Sequence, residues 1–361
     1  MERNYSIDFV KFFAIFLVVT IHTGTVSGIY LGNVNGDNID FVIDSFARCA
    51  VPFFFITSGY LFMQKMNSIQ ADREGNVGKK QFSYLRKYIL KLGLLYFSWF
   101  IFYFLYELII NIVETEKSAE ALTAMFTDFI ASFPLIDIFY YGSDVPQYHL
   151  WFLLTLIWSV IVLFTFMKLR LVKVLFFLGL ALHIYGLFGQ SYSTFYEVPY
   201  NTRDAVFFGI FYITLGGLFA KYSNPLKHLA DSIKNIEYII LIVVLSITQV
   251  VEAYITMVLL EGNAQNYFVT TIPLIFVIFL AIVKHPSIGK NSFISKIGAN
   301  AVGIYVSHVF IMKFIRFIMY KNELSEIQNT LIWKLTFTPM VFIIAYFFYA
   351  GLQKLKKRVK N

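Results

Sequence analysis

Long apolar segments follow one another along the entire chain, and their number and length restrict the fold more than any motif does. Each has close to the roughly 20 residues that a helix needs to cross a bilayer, where backbone polar groups must bond to one another. Ten such segments lie near residues 7–27, 42–63, 88–112, 148–167, 172–189, 204–220, 236–260, 267–283, 299–320 and 331–352.

The composition agrees with this pattern. Hydrophobic residues make up 58% of the chain and charged residues 14%, whereas about 25% of residues are charged in ordinary soluble domains. The sequence therefore predicts an all-α, polytopic membrane protein of about ten transmembrane helices, forming a single membrane-embedded domain over residues 1–361. The one cysteine, Cys49, excludes an internal disulfide and a cysteine-based metal cluster.

The basic residues are distributed unevenly between the connecting segments. Most of the 30 Lys and Arg residues occur in alternate connections, and such residues are retained on the cytoplasmic side of a membrane. This pattern predicts that both termini and the loop 64–81 are cytoplasmic and that 113–147 is extracytoplasmic. The net charge of +8 is thereby explained by membrane topology, and no nucleic-acid partner is expected.

The first apolar segment carries three ionisable side chains. Asp8 and Lys11 lie fourteen and eleven residues before His22, so the three share one helical stripe to within about 40°. Lys11 and His22 are then roughly 16 Å apart along the axis. Ionisable groups inside a membrane helix mark functional paths, which favours a functional His22. For Asp8 and Lys11, an ion pair at the interface is an equal alternative.

Three other polar groups lie within the predicted spans, Arg48 and His149 at a depth similar to that of His22 and His308 near mid-depth. Arg48 enters the second segment from the outer side, close to His22, and His149 and His308 lie in the fourth and ninth segments. Three histidines could form a metal site, but no further ligand stands beside any of them at helical spacing. A separated acid–base set is favoured instead. Ser58-Gly59 is typical of close helix packing. His183, His228 and His285 are expected to be structural or solvated.

Four stretches of the chain resemble a known family. They are Ser6-Ile7-Asp8-Phe9-Val10-Lys11 followed by His22, Arg48-Cys49-Ala50-Val51-Pro52-Phe53-Phe54-Phe55-Ile56-Thr57-Ser58-Gly59-Tyr60, His149-Leu150-Trp151-Phe152-Leu153, and Gly303-Ile304-Tyr305-Val306-Ser307-His308. The sequence is similar here to the acyltransferase 3 family of integral-membrane acyltransferases, in which arginine often stands at the position of Lys11. It resembles the stand-alone form, without an extracytoplasmic hydrolase-like domain.

This resemblance implies a function and a set of site residues. The function is transfer of an acyl group, most simply acetyl, from cytosolic acyl-CoA to a hydroxyl of a cell-surface or lipid-linked glycan. The resemblance implies roles in catalysis for His22, Arg48 and His149, in donor binding for Lys11, Asp8 and Tyr60, and in acceptor binding for Ser58, Tyr305 and His308.

The implied setting is the plasma membrane of a bacterium. The expected partners are the lipid bilayer, acetyl-CoA or another acyl-CoA as donor, and a glycan or lipid-linked sugar as acceptor. No metal cofactor is expected, and assembly into a homo-oligomer is left open.

Chemistry supports these roles. An imidazole can take the proton of an attacking hydroxyl, and a guanidinium can stabilise the oxyanion that develops. Two other classes remain open. One is a transporter or flippase for a lipid-linked glycan, which needs the same polar path without bond chemistry. The other is a non-catalytic membrane subunit of a polysaccharide export or sensing system.

Overall fold

A computed structural model describes residues 4–72, 75–143, 145–263 and 267–360. Within these ranges the chain is almost entirely helical, and one two-residue hairpin joins β1 (Tyr30–Leu31) to β2 (Val34–Asn35). The α-helices are α1 Tyr5–Thr23, α2 Gly36–Ala47, α3 Ala50–Ala71, α4 Val77–Glu114, α5 Ala119–Ala131, α6 Trp151–Lys168, α7 Val172–Leu187, α8 Ile210–Lys221, α9 Ser223–Ser232, α10 Asn235–Ala253, α11 Thr271–Lys284, α12 Phe293–Gly298, α13 Ala301–Lys321 and α14 Leu331–Lys360.

Shorter helical turns complete the chain. Three π-helical turns occupy Asp137–Tyr141, Ala205–Gly209 and Tyr254–Leu259. Two 3₁₀ turns occupy Tyr148–Leu150 and Ser325–Asn329. The predicted all-α membrane fold is therefore confirmed in its secondary structure for the described residues.

The number of membrane crossings is a separate matter. Six helical segments of the described chain are long and apolar enough to cross a bilayer, or seven if Ala205–Lys221 and Ser223–Ser232 form one broken span. The helices α7 and α11 are apolar but shorter. The six segments are Tyr5–Thr23, Val77–Glu114, Tyr148–Lys168, Asn235–Leu259, Ala301–Lys321 and Leu331–Arg358. The count of about ten, the cytoplasmic termini and the single domain stay predictions.

The second predicted span, near 42–63, differs from the structure. The chain forms two helices there, α2 ending at Ala47 and α3 beginning at Ala50. Arg48 stands between them as the residue after the last turn of α2. The apolar pattern did not reveal this break, because α2 and α3 are both rich in apolar residues.

The described chain divides into two compact units. The first unit comprises Met1–Phe54, Gln190–Phe195 and Tyr222–Asn361, and the second comprises Phe55–Gly189 and Tyr196–Lys221. In the first unit α1 packs against α2, α12, α13 and α14, while α10 packs against α2 and α11. In the second unit α6 packs against α4, α7 and α8.

Backbone contacts fix the start of α1 within the first unit. At the start, Asn4 caps the helix by accepting from the Ile7 N–H, and the Tyr5 N–H donates to the Pro286 carbonyl at 2.8 Å. One turn later, a methyl group at Gly298 would lie 1.8 Å from the Asp8 carbonyl oxygen. Only glycine permits this contact between α12 and α1.

Glycines also set the close approach of α3 and α8 in the second unit. A methyl group at Gly59 would lie 2.0 Å from the Ile213 carbonyl oxygen, and one at Gly216 would lie 2.0 Å from that of Ile56. The two backbones therefore touch directly. The expectation that Ser58-Gly59 allows close helix packing is confirmed.

Candidate active site

His22 lies in the last turn of α1 and faces a second histidine within the first unit. The ring centroids of His22 and His308 are 5.0 Å apart, with the ring planes inclined by 47°. His308 is on α13 and is fully buried. The structure therefore brings together one residue predicted for catalysis and one predicted for acceptor binding.

Hydrogen bonds define the tautomer of His308. Its Nδ1 lies 2.6 Å from the Tyr305 carbonyl oxygen and 3.2 Å from that of Ile304. A carbonyl oxygen only accepts, so Nδ1 carries the proton in this assignment. In the neutral ring Nε2 then holds the lone pair, so His308 can accept a hydrogen bond there.

Packing between α13 and α14 holds His308 in place. A methyl group at Gly303 would lie 2.1 Å from the ring of Tyr349, so the ring of α14 rests directly on the backbone of α13. The Ser307 hydroxyl donates to the Gly303 carbonyl at 2.8 Å. The Tyr305 ring centroid is 6.2 Å from that of His308. Tyr305, predicted to bind the acceptor, therefore lies beside the histidine pair.

An arginine that the sequence analysis missed reaches the same end of α1. Arg316 of α13 donates from Nη2 to the Thr23 carbonyl at 3.1 Å, and its guanidinium lies 5.2 Å from the Phe337 ring centroid. The Thr23 and Thr338 hydroxyls are 2.7 Å apart. A cation at the carboxyl end of a helix is stabilised by the helix dipole. Two helical turns beyond His308, Arg316 interrupts an apolar segment, and that charge was the available signal.

Arg48 is held by a carboxylate of α2, the helix that it follows. Its Nη2 and Nε donate to Asp44 Oδ2 at 2.6 and 3.1 Å, and both side chains are largely shielded from solvent. Two bonds to one carboxylate restrict a planar guanidinium to one orientation. The predicted approach of Arg48 to His22 stays a prediction.

Asp8 and Lys11 form an ion pair near the start of α1. The Lys11 ammonium is 3.5 Å from Asp8 Oδ1, one turn along the helix. The ion pair that the sequence offered as the alternative interpretation of Asp8 and Lys11 is therefore present. It is compatible with a role in binding, because an ammonium carries three donors.

His149 belongs to the second unit and is buried there. It lies in the 3₁₀ turn before α6, and its ring meets the edge of the Tyr103 ring at a centroid distance of 4.8 Å. The neighbouring Gln147 is 1% exposed, and neither its amide nitrogen nor its amide oxygen has a hydrogen-bond partner within the described chain. Such a group is costly without a partner. Gln147 was not singled out from the sequence.

The other predicted residues of the second unit are on α3. The Ser58 hydroxyl hydrogen-bonds the Tyr88 phenol of α4, and Tyr60 is 8% exposed. Both contribute to packing here, and their predicted roles in acceptor and donor binding stay predictions.

The segment 190–203 is rich in Tyr, Ser and Thr. Ser191 and Tyr192 donate within the first unit, to the Tyr267 carbonyl at 2.7 Å and to Glu252 at 2.6 Å. Burial raises the pKa of the Tyr192 phenol, and the hydrogen bond to Glu252 raises it further. These two hydroxyls therefore hold the loop in place.

The remaining histidines fit structural or solvated roles. His183 is fully buried, with Nδ1 3.0 Å from the Phe207 carbonyl oxygen and Nε2 3.2 Å from the Tyr212 hydroxyl. His285 Nε2 lies 3.0 Å from Asn235 Oδ1. Across the described ranges, no group of three His, Cys, Asp or Glu side chains could hold a metal ion.

Comparison with known proteins gives the class. The model of the acyltransferase 3 family, described as an acyltransferase domain, matches residues 4–350. The chain belongs to this family, and its apolar helices are those of a membrane protein.

Two curated proteins are distantly similar to this chain. Both are proteins of Enterococcus faecalis named amino-acid racemase. One is 26% identical over 257 residues, which is 67% of this chain and 32% of the relative. The other is 27% identical over 241 residues, or 62% of this chain and 29% of the relative. This chain spans about a third of the length of the relatives it matches. No solved structure matches it significantly.

Proposed function

We propose that this protein is a membrane O-acyltransferase that moves an acyl group, most simply acetyl, from cytosolic acyl-CoA to a hydroxyl of a cell-surface or lipid-linked glycan. The observation that carries this proposal is the pair of imidazoles, His22 and His308, in a chain of an acyltransferase family. Membership of the acyltransferase 3 family supports the class of reaction. The pair of imidazoles supplies a group that can accept the proton of the attacking hydroxyl.

The reaction needs one base and returns its proton. The acceptor oxygen attacks the thioester carbonyl carbon as the His22 imidazole takes the hydroxyl proton. The tetrahedral oxyanion then collapses, the carbon–sulfur bond breaks, and the thiolate of CoA leaves with the proton from the imidazolium. Atoms and charge balance without any metal or redox partner.

His308 acts on His22 as a positioning residue in this scheme. Because Nδ1 of His308 donates to backbone carbonyls, Nε2 presents a lone pair. A centroid separation of 5.0 Å allows ring nitrogens to come within hydrogen-bond distance. Accepting the N–H of His22 would leave the other nitrogen of His22 unprotonated, as a base requires.

Two arginines can supply positive charge at the oxyanion. Arg316 is bound to the carbonyl of Thr23, the residue after His22, and Arg48 is oriented by Asp44. A fixed cation costs no reorganisation as the charge develops, which is why such groups contribute strongly to catalysis.

The donor and acceptor are assigned to the remaining predicted residues. Lys11, with Asp8 and Tyr60, is proposed to hold the anionic donor, and Ser58 and Tyr305 the acceptor. The roughly 16 Å of helix between Lys11 and His22 suits a donor with a long arm between its phosphates and its thioester. His149 is proposed as a further catalytic group.

The test is a transfer assay on the full chain in phosphatidylcholine nanodiscs. Acetyl-CoA labelled in the acetyl group is supplied with a bacterial envelope glycan fraction. A second arm supplies a mixture of L- and D-amino acids, because the two relatives are named amino-acid racemases. Release of CoA together with alkali-labile label on the glycan is expected. Label on amino acids alone would assign a different acceptor.

The same preparation separates catalysis from transport. Folded protein that transfers no label to any acceptor would contradict the proposed function. In proteoliposomes, movement of an unmodified lipid-linked glycan under those conditions would establish the transporter alternative instead.

A further inference from the structure

An open cavity in the second unit is not used by the proposed chemistry. Its volume is about 250 Å³, and it lies where the ends of α3 and α6 meet the start of α4. The polar residues that line it are two cations and three amides, and no Asp or Glu is among the described lining residues. They are Lys168, Arg170, Asn67, Gln70 and Gln81.

Lys168 is held at this cavity by a buried amide. Gln81 is 5% exposed and donates from Nε2 to the Met66 carbonyl at 3.3 Å, so its Oε1 is turned to accept from the Lys168 ammonium. The ammonium also lies 5.4 Å from the Phe164 ring centroid. No carboxylate of the described chain pairs with Lys168 at this cavity.

Arg170 occupies a backbone conformation that favours glycine. Its φ is +62°, at the end of α6, where the Leu171 N–H donates back to the Phe166 carbonyl at 2.9 Å. Helices commonly end this way, but with glycine at the left-handed position. The Arg170 side chain is therefore held at this position despite a strained backbone. Within the described ranges Arg170 forms no ion pair.

The start of α4 adds positive potential to the same place. A methyl group at Gly78 would lie 3.9 Å from Lys168 Nζ, so the ammonium stands beside the first turn of α4. The amino end of a helix carries a partial positive charge, and this first turn contains no acidic residue. The nearby Asp72 is already paired with Lys80 at 3.2 Å. An anion would relieve this concentration of like charge.

We propose that this cavity binds the phosphate groups of a phosphate ester. Lysine and arginine with a helix amino end are the groups that bind phosphate in proteins. The Gln70 amide adds donors, as does the second N–H of Asn67, whose first N–H donates to the Ala220 carbonyl at 3.3 Å. Pockets for whole drug-sized ligands span about 300–1,000 Å³, so this one suits phosphates whose organic part extends through the open side. If acyl-CoA is the donor, the occupant is its adenosine 3′-phosphate and the diphosphate is left to Lys11, and both identifications rest on the proposed function.

The experiment measures phosphate binding without acyl transfer. Adenosine 3′,5′-bisphosphate is titrated by calorimetry into the full chain in phosphatidylcholine nanodiscs. Wild-type protein is expected to bind. Lys168→Gln and Arg170→Gly should each weaken binding by about 10-fold or more, as expected for loss of a charge-assisted hydrogen bond. Lys173→Gln, which removes one charge of the same unit outside the cavity, should bind as wild type.

Arg170→Gly also separates binding from folding. Glycine relieves the strained backbone, so the thermal transition of this variant should stay in place or rise while binding falls. Nanodiscs containing phosphatidylglycerol form the second arm. Competition by this lipid that disappears in Lys168→Gln would assign the same site to a lipid headgroup.

Equal affinity of wild type, Lys168→Gln and Arg170→Gly for the bisphosphate would overturn the proposal. So would the absence of binding in both arms. Failure of acyl transfer with binding intact would instead contradict only the proposed function.

Discussion

His22 and His308, on helices from opposite ends of the chain, place their ring centroids 5.0 Å apart in the first unit. His308 is fixed by backbone carbonyls of its own helix, whereas His22 lies in the last turn of α1, which ends at Thr23. The pair therefore combines one constrained ring with one at a helix terminus, which is the arrangement of an oriented base.

Replacing His22 should abolish transfer without unfolding the protein. Glutamine keeps hydrogen bonding but cannot act as a base, so His22→Gln should lower kcat by about 10²–10⁴-fold. Steady-state transfer with labelled acetyl-CoA measures the loss, and size-exclusion chromatography checks the fold. Near-normal acetylation by His22→Gln would remove His22 from the mechanism.

His308 should matter less, and in a way that shows its positioning role. His308→Leu is expected to lower kcat by about 10–100-fold, the size of effect known for groups that orient metal-binding histidines, with little change in KM for the donor. His308→Gln retains a polar group on the side of Nε2 and should recover part of the rate. Equal loss in both variants would indicate a packing role only.

His183 provides the matched control, because it is equally buried but bonded on both nitrogens within the second unit. His183→Phe removes the acceptor of the Tyr212 hydroxyl and should lower stability by about 1–3 kcal/mol. A lower thermal transition with unchanged kcat is expected. A large fall in kcat with no change in stability would give His183 the role assigned here to His308.

Gln147 should show the opposite balance between stability and function. Its buried amide has no hydrogen-bond partner among the described residues. Gln147→Leu therefore removes an unsatisfied polar group and replaces it with an apolar side chain of similar size. Stability should hold or rise, by up to about 1–3 kcal/mol, and KM for the acceptor should rise if the amide binds it. Thermal melts and acceptor titrations measure the two effects. Loss of stability would show that the amide is satisfied within the fold.

Membrane topology can be tested by labelling single cysteines from outside the cell. In a Cys49→Ala background, Glu116→Cys and Lys79→Cys place exposed thiols before α5 and at the start of α4. The charge distribution predicts that an impermeant reagent modifies the first and spares the second. The reverse pattern would invert every assignment of inner and outer ends.

The sequence alone determined where most of the long helices are. A long apolar segment in a bilayer must satisfy its backbone internally, so segment length and composition predicted the helical regions, α1 among them. Helical periodicity also predicted that Asp8, Lys11 and His22 share one stripe, and Ser58-Gly59 predicted the close packing of α3 against another helix. These are local properties, decided within a single segment of the chain.

Tertiary structure alone decided which side chains meet. Periodicity gives the face of a helix but not the neighbour of that face, because pairing between distant segments depends on the packing of all of them. The contact between His22 and His308, the reach of Arg316 to Thr23, and the Lys168 cavity belong to this class. Asp8 shows both levels. Its spacing to Lys11 predicted that an ion pair was possible, whereas its backbone contact with Gly298, which helps to fix α1, is seen only in the tertiary structure.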